Sequence, residues 1–519
     1  MKSTQLRIGV DVGGTNTDAV LLNGNEVVAS TKTATTEFVS DDIVNSLTTI
    51  IEQTEIDPMH IKVVSIGTTH FTNAFVQRRD LDKVGVLRVA LPAAKALPPF
   101  TDWPRDIQDA VGGIYEMVGG GYHYDGRVNS PLDEKAISTA AQRFKKKGLT
   151  SIAISALFAP VDESMEKRAC EILLNEIPDA KITLSSKIGR IGLLERENAG
   201  IMNASLSTLA SQTIDGFRLA LNQLGITAPF YISQNDGTLM SADFVEHYPV
   251  LTFASGPTNI IRGAAYLSGL ENAMVVDIGD TTTDIGVLRQ GFPCESSLAV
   301  DIGSVRTNFR MPDILAIGLG GGSLVHEQNG NITIGPRSVG YQISKKALVF
   351  GGSTLTATDI AVAAGATDIG DKKFVAGLDP KMVAAAFDKI HQMVENGIDR
   401  MKTSNEDVPL ILVGGGSVLI DRALAGVSDV ITDNNAGVAN AIGASIAQVS
   451  GEVDKVYSYD ELGRDFVLGE AQKEATENAI NAGADPDTIQ VMDIEELPLA
   501  YIPGGAVRVR LKVAGELKI

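Results

Sequence analysis

The sequence predicts an α/β fold of two duplicated lobes with a cleft between them and a small α+β appendage after the second lobe. Three observations predict it. Apolar β-branched runs alternate with segments of helical apolar spacing along most of the chain. An eight-residue motif occurs twice, DVGGTNTD at 11–18 and DIGDTTTD at 277–284, identical at five positions and 266 residues apart. The 519 residues leave room for about three domains or two large lobes. The expected divisions are 1–195 for the first lobe, 196–450 for the second and 451–519 for the tail.

The elements follow in order. LRIGVDV (6–12), DAVLLNG and EVVASTKT read as three short strands joined by turns, an antiparallel meander. Segment 39–54 places Ile43, Leu47, Ile50 and Ile51 on one helical face, with Ser40 as N-cap and acidic Asp41 and Asp42 in the first turn. A strand at 61–66, a helix at 69–78 and a strand at 83–89 follow. The Pro- and Gly-rich stretch 92–130 reads as a loop excursion. A helix at 133–147, a strand at 151–158, a helix at 162–176 and a strand at 182–186 restore the alternation. Segment 195–224 is expected as one long helical stretch connecting the lobes; its ERENA run reads as salt bridges on a helix face. The second half restarts at YISQNDG and repeats strand, Gly/Thr turn, strand at 273–288. Gly clusters follow at 318–323 and 413–417, then a long Ala-rich helix at 434–449 in which Ala441, Gly443 and Ala444 read as close-packing positions. The tail is expected to hold a helix at 470–482 and strands at 489–494 and 506–513.

Composition excludes several functions. With 44 basic and 64 acidic side chains the net charge is −20, which disfavours wrapping nucleic acid or coating an anionic membrane. Two cysteines, Cys170 and Cys294, cannot make a disulfide scaffold or a zinc ribbon. The six histidines lack metal-ligand spacing. No run of about 18 apolar residues occurs, and MKSTQLRIGVDVGG does not read as a signal peptide. A soluble cytoplasmic protein is expected.

The repeated motif carries the chemistry. A tight Gly/Thr turn between two strands aims N–H and hydroxyl donors at one point, a nest suited to phosphate oxygens. Gly13, Gly14, Thr15 and Thr17 form the first such turn, and Gly279, Thr281, Thr282 and Thr283 the second. The glycines are expected to adopt positive φ and admit phosphate to the backbone. Asp11 and Asp277, at the strand ends, are hard oxygen donors for Mg²⁺. Asp18 and Asp284 are candidates for the site or for turn capping. A Walker A loop and a GxGxxG turn opening a helix are both absent from the motif.

The paired turns resemble the two phosphate motifs of the actin, sugar-kinase and heat-shock-chaperone ATPase superfamily, and VPLILVGGGS (408–417) resembles its adenosine motif. A closer resemblance is to the hydantoinase/5-oxoprolinase (hydantoinase A) family. It rests on GVDVGGTNTDAVL (9–21), SIGTTHFTNAFVQR (65–78), SQNDGTLMSADF (233–244), SGPTNIIRGA (255–264), DIGDTTTDIGVL (277–288), GLGGGSL (318–324), GPRSVG (335–340) and TLTATDI (354–360), across about residues 5–450. Two departures stand out: Gly279-Asp280 replaces the family's Gly-Gly, and Leu315 stands where a histidine often does. The length is similar to a compact subgroup that accompanies proteins like S-methyl-thiohydantoin desulfurases.

The resemblance implies two actin-like, ribonuclease-H-like lobes with ATP and Mg²⁺ bound between them. It also implies an ATP-dependent hydrolase, or its ATP-binding subunit, that opens a five-membered cyclic amide such as a hydantoin, thiohydantoin or 5-oxoproline by phosphorylating the amide oxygen. Asp11 and Asp277 would orient the metal. Gly320, Gly321 and Gly322, with Gly414, Gly415, Gly416 and Ser417, would face the nucleoside. Thr68, Thr69 and Asn73, where a helix N-terminus binds polar groups, and Asn235 and Asp236 are candidates to contact the ring; His70 reads as a surface side chain. A second hydrolase subunit or a desulfurase-like protein is the implied partner. Two other functions suit the same fold: a small-molecule or sugar kinase, and a nucleotide-driven reactivase without substrate chemistry.

Overall fold

Strand LRIGVDV is apolar on both faces, and a strand buried on both faces belongs at the centre of a sheet. In the computed structural model it does. The described residues are 5–13, 16–24, 26–36, 39–296, 299–308, 311–328, 331–446, 448–500 and 505–518. The expected meander forms from β1 (Leu6–Val12), β2 (Asn16–Asn23) and β3 (Glu26–Ala34), each antiparallel to the next. Helix α1 (Val39–Thr54) has the expected span. Ser40 lies inside its first turn rather than capping it, and Asp42 Oδ1 accepts from the Thr36 N–H at 2.7 Å. Then come β4 (Ile61–Thr68), parallel to β1, and α2 (His70–Gln77).

An insertion follows with its own parallel sheet, order β6-β5-β7-β8: β5 (Val84–Leu91), β6 (Ile114–Gly119), β7 (Ser151–Ala156) and β8 (Lys181–Leu184). The stretch 92–130 is not wholly loop, because it supplies α3 (Arg105–Val111) and β6. Helices α4 (Glu134–Lys146) and α5 (Ser164–Glu176) cover this sheet around Leu87, Val89, Ile137, Phe144 and Ile152.

The segment expected as one connecting helix is two, α6 (Leu193–Ser205) and α7 (Ser207–Gln223), broken at Leu206 (φ −100°, ψ 1°). Both pack in the first lobe, where Ala199, Met202, Ile214 and Phe217 join Ile8, Val10 and Ile66. They lead to β9 (Phe230–Ser233), parallel to β4, and β10 (Leu239–Ser241). Residues 196–241, expected in the second lobe, thus complete the first sheet, order β10-β9-β4-β1-β2-β3. The reason is topological: adding a parallel strand needs a long crossover, and α6 with α7 supplies it. Two of the three ERENA charges, Arg196 and Glu197, are buried, and Glu197 on α6 pairs with Arg88 on β5, 1% and 0% exposed.

After α8 (Ala242–His247) and α9 (Ser255–Ser268), the second sheet repeats the plan of the first. Antiparallel β11 (Ala273–Ile278) and β12 (Thr283–Arg289) are continued by β13 (Phe292–Pro293). A hairpin of β14 (Val300–Ile302) and β15 (Val305–Thr307) buries Ile302 and Val305 in the first lobe's core. Then follow β16 (Ile314–Ile317), against β12, and the hairpin β17 (Ser323–Gln328) and β18 (Asn331–Ser338). Helices α10 (Ile343–Lys346), α11 (Ala357–Ala364) and α12 (Pro380–Met401) lead to β19 (Val408–Val413), parallel to β11, and β20 (Val427–Ile431). The order β13-β12-β11-β19-β20 matches β3-β2-β1-β4-β9. The chain has the expected α/β architecture of two duplicated actin-like ATPase lobes.

The Ala-rich stretch 434–449 forms only a short helix, α13 (Ala439–Ala444), and then enters β21 (Gln448–Ser458). The tail completes a sheet β21-β23-β22 with β22 (Gln490–Pro498) and β23 (Ala506–Glu516), and packs α15 (Arg464–Asn481) on it after the short α14 (Tyr459–Leu462). Among the described residues, no helix is long and apolar enough to cross a membrane.

Helices α9 and α13 cross beneath the cleft at backbone contact. A Cβ on Gly443 would lie 1.8 Å from the Asn259 carbonyl, one on Gly263 1.9 Å from that of Ala439, and one on Gly9 2.1 Å from that of Ala441. Gly443 is therefore a close-packing position, and only glycine fits there without moving backbone. Gly443→Ala is expected to lower stability by about 1–3 kcal/mol in urea melts, while Gly437→Ala, where a Cβ meets nothing within 4 Å, should leave the midpoint nearly unchanged.

Candidate active site in the interlobe cleft

The two copies of the motif fold alike. In each, an aspartate ends the central strand and faces a second aspartate across the hairpin: Asp11 opposite Asp18, Asp277 opposite Asp284. The turns close with the same bond, Gly13 N–H to Asn16 O at 3.0 Å and Gly279 N–H to Thr282 O at 2.9 Å. Each leading aspartate lies over a glycine at the end of the neighbouring parallel strand. A Cβ on Gly67 would sit 2.2 Å from Asp11 Oδ1, and one on Gly414 2.2 Å from Asp277 Oδ1. The crossing helices hold Asp11 from below: Asn259 Nδ2 on α9 donates to Oδ1 at 3.1 Å, and Asn440 Nδ2 on α13 to Oδ2 at 3.4 Å. Sequence reasoning passed over both asparagines, although Asn259 stands inside the quoted SGPTNIIRGA stretch.

Negative charge is crowded here. Burial pushes the Asp11 carboxyl up, and lifts Asp18 and Asp284 to about 6 and Asp277 to about 7, with Asp284 adding to the Asp277 rise. Asp280 is raised by burial too. Lys32 on β3 opposes this. It stands opposite Asp18 in the strand register, with Nζ 3.1 Å from Asp18 Oδ1, and its charge is felt by Asp11, Asp18, Asp277 and Asp280. Sequence reasoning missed Lys32, since a lysine on a partly exposed strand looks like surface.

Carboxylates from both lobes, in excess of the local positive charge, suit a hard divalent cation, and the two glycine cradles leave the Asp11 and Asp277 oxygens room. Among the described residues no three His, Cys, Asp or Glu side chains group to hold a metal alone. The donor set therefore fits Mg²⁺ held by one or two carboxylates with phosphate and water completing the shell.

The other predicted residues divide. Gly14 and Thr15 lie outside the described residues. Gly13 and Gly279 do not take positive φ; their turns close without it. Thr281 and Thr282 are exposed at the tip of the second turn. Thr17 and Thr283 are buried, and their hydroxyls serve the fold, bonding Thr35 Oγ1 at 3.1 Å and Leu319 O at 2.7 Å. Gly320, Gly321 and Gly322 are buried behind the second turn: Gly321 N–H donates to Gly279 O and Gly322 N–H to Asp280 O, buttressing the turn, and Gly320 N–H donates to Ser323 Oγ. Gly414 (φ +87°) and buried Gly416 pack against Ile278, whereas Gly415 faces open space and Ser417 is half-buried. Thr68 is buried, and its Oγ1 accepts from His70 N–H at 3.1 Å. Thr69 is half-buried beside Gly256 at the start of α9, with exposed Asn73 donating to its Oγ1 at 3.2 Å. Half-buried His70 has its pKa lowered by burial.

Asn235 and Asp236 are buried away from this cleft's surface. Asp236 accepts from Thr238 N–H and Oγ1 and from Ser450 Oγ, and its Oδ2 lies 2.9 Å from Lys512 Nζ on β23. The Asn235 N–H and carbonyl bond Leu251 and Thr258. A carboxylate so committed anchors the tail and is not placed to bind a ring.

The family model for the hydantoinase/oxoprolinase N-terminal region matches residues 7–177, and the hydantoinase/oxoprolinase model matches 196–401. The caprolactamase subunit alpha of Pseudomonas jessenii is 27% identical over 392 residues, covering 70% of this chain and 55% of that protein. The acetophenone carboxylase gamma subunit of Aromatoleum aromaticum is 26% identical over 395 residues, 69% of this chain and 53% of that one. The chain thus spans about half the length of these curated relatives. The crystal structure of the ATP-dependent caprolactamase from Pseudomonas jessenii superposes with a TM-score of 0.81 at 21% identity, covering 99% of this chain and 88% of that one.

Two outcomes follow from the geometry. Aspartates raised above the ordinary carboxyl range bind protons more tightly folded than unfolded. Their contribution is full below about pH 4 and is lost as pH rises through about 6 to 7. In chelator, the urea midpoint should fall over that window, and Asp277→Asn should flatten the fall; an equal slope in the variant would contradict the placement. Separately, Lys512→Met removes the buried ammonium that lies 2.9 Å from Asp236 and 3.5 Å from Glu295. It is expected to cost about 3 kcal/mol or more and to expose the tail to proteolysis.

Proposed function

Because the chain belongs to the hydantoinase/oxoprolinase family, we propose that it spends ATP to activate a cyclic amide for ring opening, alone or as the ATP-binding subunit of a larger hydrolase. The observation that carries this reading is the pair of matched turns, each with an aspartate over a glycine cradle, brought together by the α9–α13 crossing. The relatives' names, an ATP-dependent caprolactamase and a carboxylase subunit, support ATP use and amide-related chemistry.

In this reading the nucleotide lies between the turns, its nucleoside toward open Gly415 and Ser417 and its phosphates over the exposed backbone of Thr281 and Thr282. Mg²⁺ on Asp11 and Asp277, when bound, would neutralise charge on the β- and γ-phosphates. Asn259 and Asn440 fix the Asp11 carboxylate, so its orientation does not have to be found at the moment of reaction. The amide oxygen attacks the γ-phosphorus, the bond to the β,γ-bridging oxygen breaks, and ADP leaves with the electron pair. Positioning and charge neutralisation do most of this work. An amide oxygen carries no proton, so this step needs no strong base. Water then adds to the activated carbon, the ring C–N bond breaks with a proton to nitrogen, and a second water releases phosphate. Thr69 and Asn73, at the N-terminus of α2 beside α9, are the side chains available to orient the ring. A partner subunit would supply the hydrolytic steps, and the cytoplasm, with its ATP, is the proposed location.

The test is Mg·ATP turnover by the purified chain over hydantoins, thiohydantoins, 5-oxoproline, succinimide and caprolactam. ADP release should rise with one ring class and drop about 100-fold or more in Asp277→Ala. Turnover indifferent to every ring would favour a nucleotide-driven reactivase. Failure to bind nucleotide would end the reading.

A further inference from the structure

We propose that Lys32 is the residue that binds the terminal phosphate of the nucleotide, with Asp18 as the positioning residue that aims it. This rests on the proposed ATP site and names a contact within it. The first support is geometric. Lys32 projects from β3 toward the first turn, its Nζ 3.1 Å from Asp18 Oδ1, and its side chain stays 47% exposed while that of Asp18 is 7% exposed. One end of the pair is fixed in the protein and the other is open to the cleft. The second is register. Lys32 on β3 stands opposite Asp18 on β2, and Asp18 stands opposite Asp11 on β1, so the lysine lies in the same row across the sheet as the strand-end aspartate of the first turn.

The third support comes from the duplication. If the lysine served only to balance the hairpin aspartate, the second lobe would need one too. There the residue opposite Asp284 is Ala316, and among the described residues no cation pairs with Asp284. The fold therefore tolerates this aspartate with no partner, and Lys32 is left over from what folding requires. Nor is the pair built for stability: Asp18 remains raised to about 6 with the lysine beside it, and half-exposed ion pairs contribute little.

The cleft needs such a group. Five aspartates, 11, 18, 277, 280 and 284, surround a space offered to a polyphosphate. A single Mg²⁺ offsets only part of that repulsion. An ammonium among the two turns can bond a γ-phosphate oxygen and carry charge that builds on it during transfer. It forms and breaks no covalent bond, and its proton stays on nitrogen.

The experiment measures the affinities of ADP and of a non-hydrolysable ATP analogue by calorimetry, with Mg²⁺ present, for wild type, Lys32→Met and Lys32→Arg. In Lys32→Met the analogue should weaken about 10- to 100-fold with ADP affinity unchanged, and Lys32→Arg should regain most of the loss. Equal weakening of both nucleotides would mean a general electrostatic or folding effect, and no change would make Lys32 a surface ion pair; either result overturns the assignment. A wild-type chain that binds neither nucleotide overturns the underlying ATP reading as well, and is told apart because wild type itself then gives no binding signal.

Discussion

The contact between α9 and α13 is the constraint on which the rest of the molecule depends. Each helix follows the strands of one sheet and covers the other. Helix α9 comes after β9 and β10 of the first sheet, yet its Ile260, Ile261 and Ala264 pack on Val275, Leu288 and Val413 of the second. Helix α13 comes after β20 of the second sheet, yet its Ala441 and Ile442 pack on Val20 of the first. The swap leaves each lobe without a complete core of its own, because the closing helix is contributed by the other half of the repeat. Gly263 and Gly443 let the two backbones touch, Gly9 lets α13 lie against β1, and the same packing delivers Asn259 and Asn440 to Asp11. Folding of the pair and assembly of the site are one event.

The repeated motif was legible because its physics is local. A strand, a turn and a strand within eight residues are set by sterics and by short hydrogen bonds, and both copies folded as their sequences read. The β-meander, α1 and the alternation of the insertion were legible for the same reason. What failed was long-range. Asp236 reads as a ring contact or an Asx turn; it makes the Asx bond to Thr238 N–H, and nothing near it reveals that Lys512, 276 positions later in the chain, lies 2.9 Å away. The triple glycine at 320–322 reads as facing a nucleoside, and the N–H groups of Gly321 and Gly322 meet the carbonyls of Gly279 and Asp280. A Gly-rich run shows that backbone must come close to something; it does not say to what. The expected helix at 434–449 failed because alanine propensity is a weak prior, and the chain is needed at once as an edge strand of the tail sheet.

In the tail, Arg508, Arg510 and Lys512 alternate along β23 and meet acids from three parts of the chain. Arg508 pairs with Asp454 at 2.5 Å and Arg510 with Glu452 at 3.0 Å and with Glu295. Lys512 reaches Asp236 of the first lobe and Glu295 of the second. In a chain of net charge −20, cations are the scarcer partner, and a row of them is gathered where the tail meets both lobes. Burying such pairs adds little to stability against an apolar alternative, but losing one member leaves a buried charge unmatched. The arrangement therefore fixes where the tail sits more than how tightly the chain folds.

Duplication also explains why the two halves of the cleft differ. Both lobes kept the strand-end aspartate, its glycine cradle and the closing bond of the turn, which are the features that geometry enforces. They diverged where geometry is indifferent. The second lobe backs its turn with Gly320–Gly322 and leaves Gly415 facing open space, a rigid wall with room for a bulky group. The first lobe instead places Lys32 across from Asp18 and brings the start of α2, with Thr69 and Asn73, beside the start of α9. On the proposed reading the inert end of the nucleotide belongs with the wall and the reacting end with the polar side chains. An ancestral symmetric site would bind both ends of a nucleotide equally and orient neither. The asymmetry at Lys32 and Ala316 is the kind of change that breaks that degeneracy, because one cation on one side makes the two directions of a polyphosphate unequal in energy.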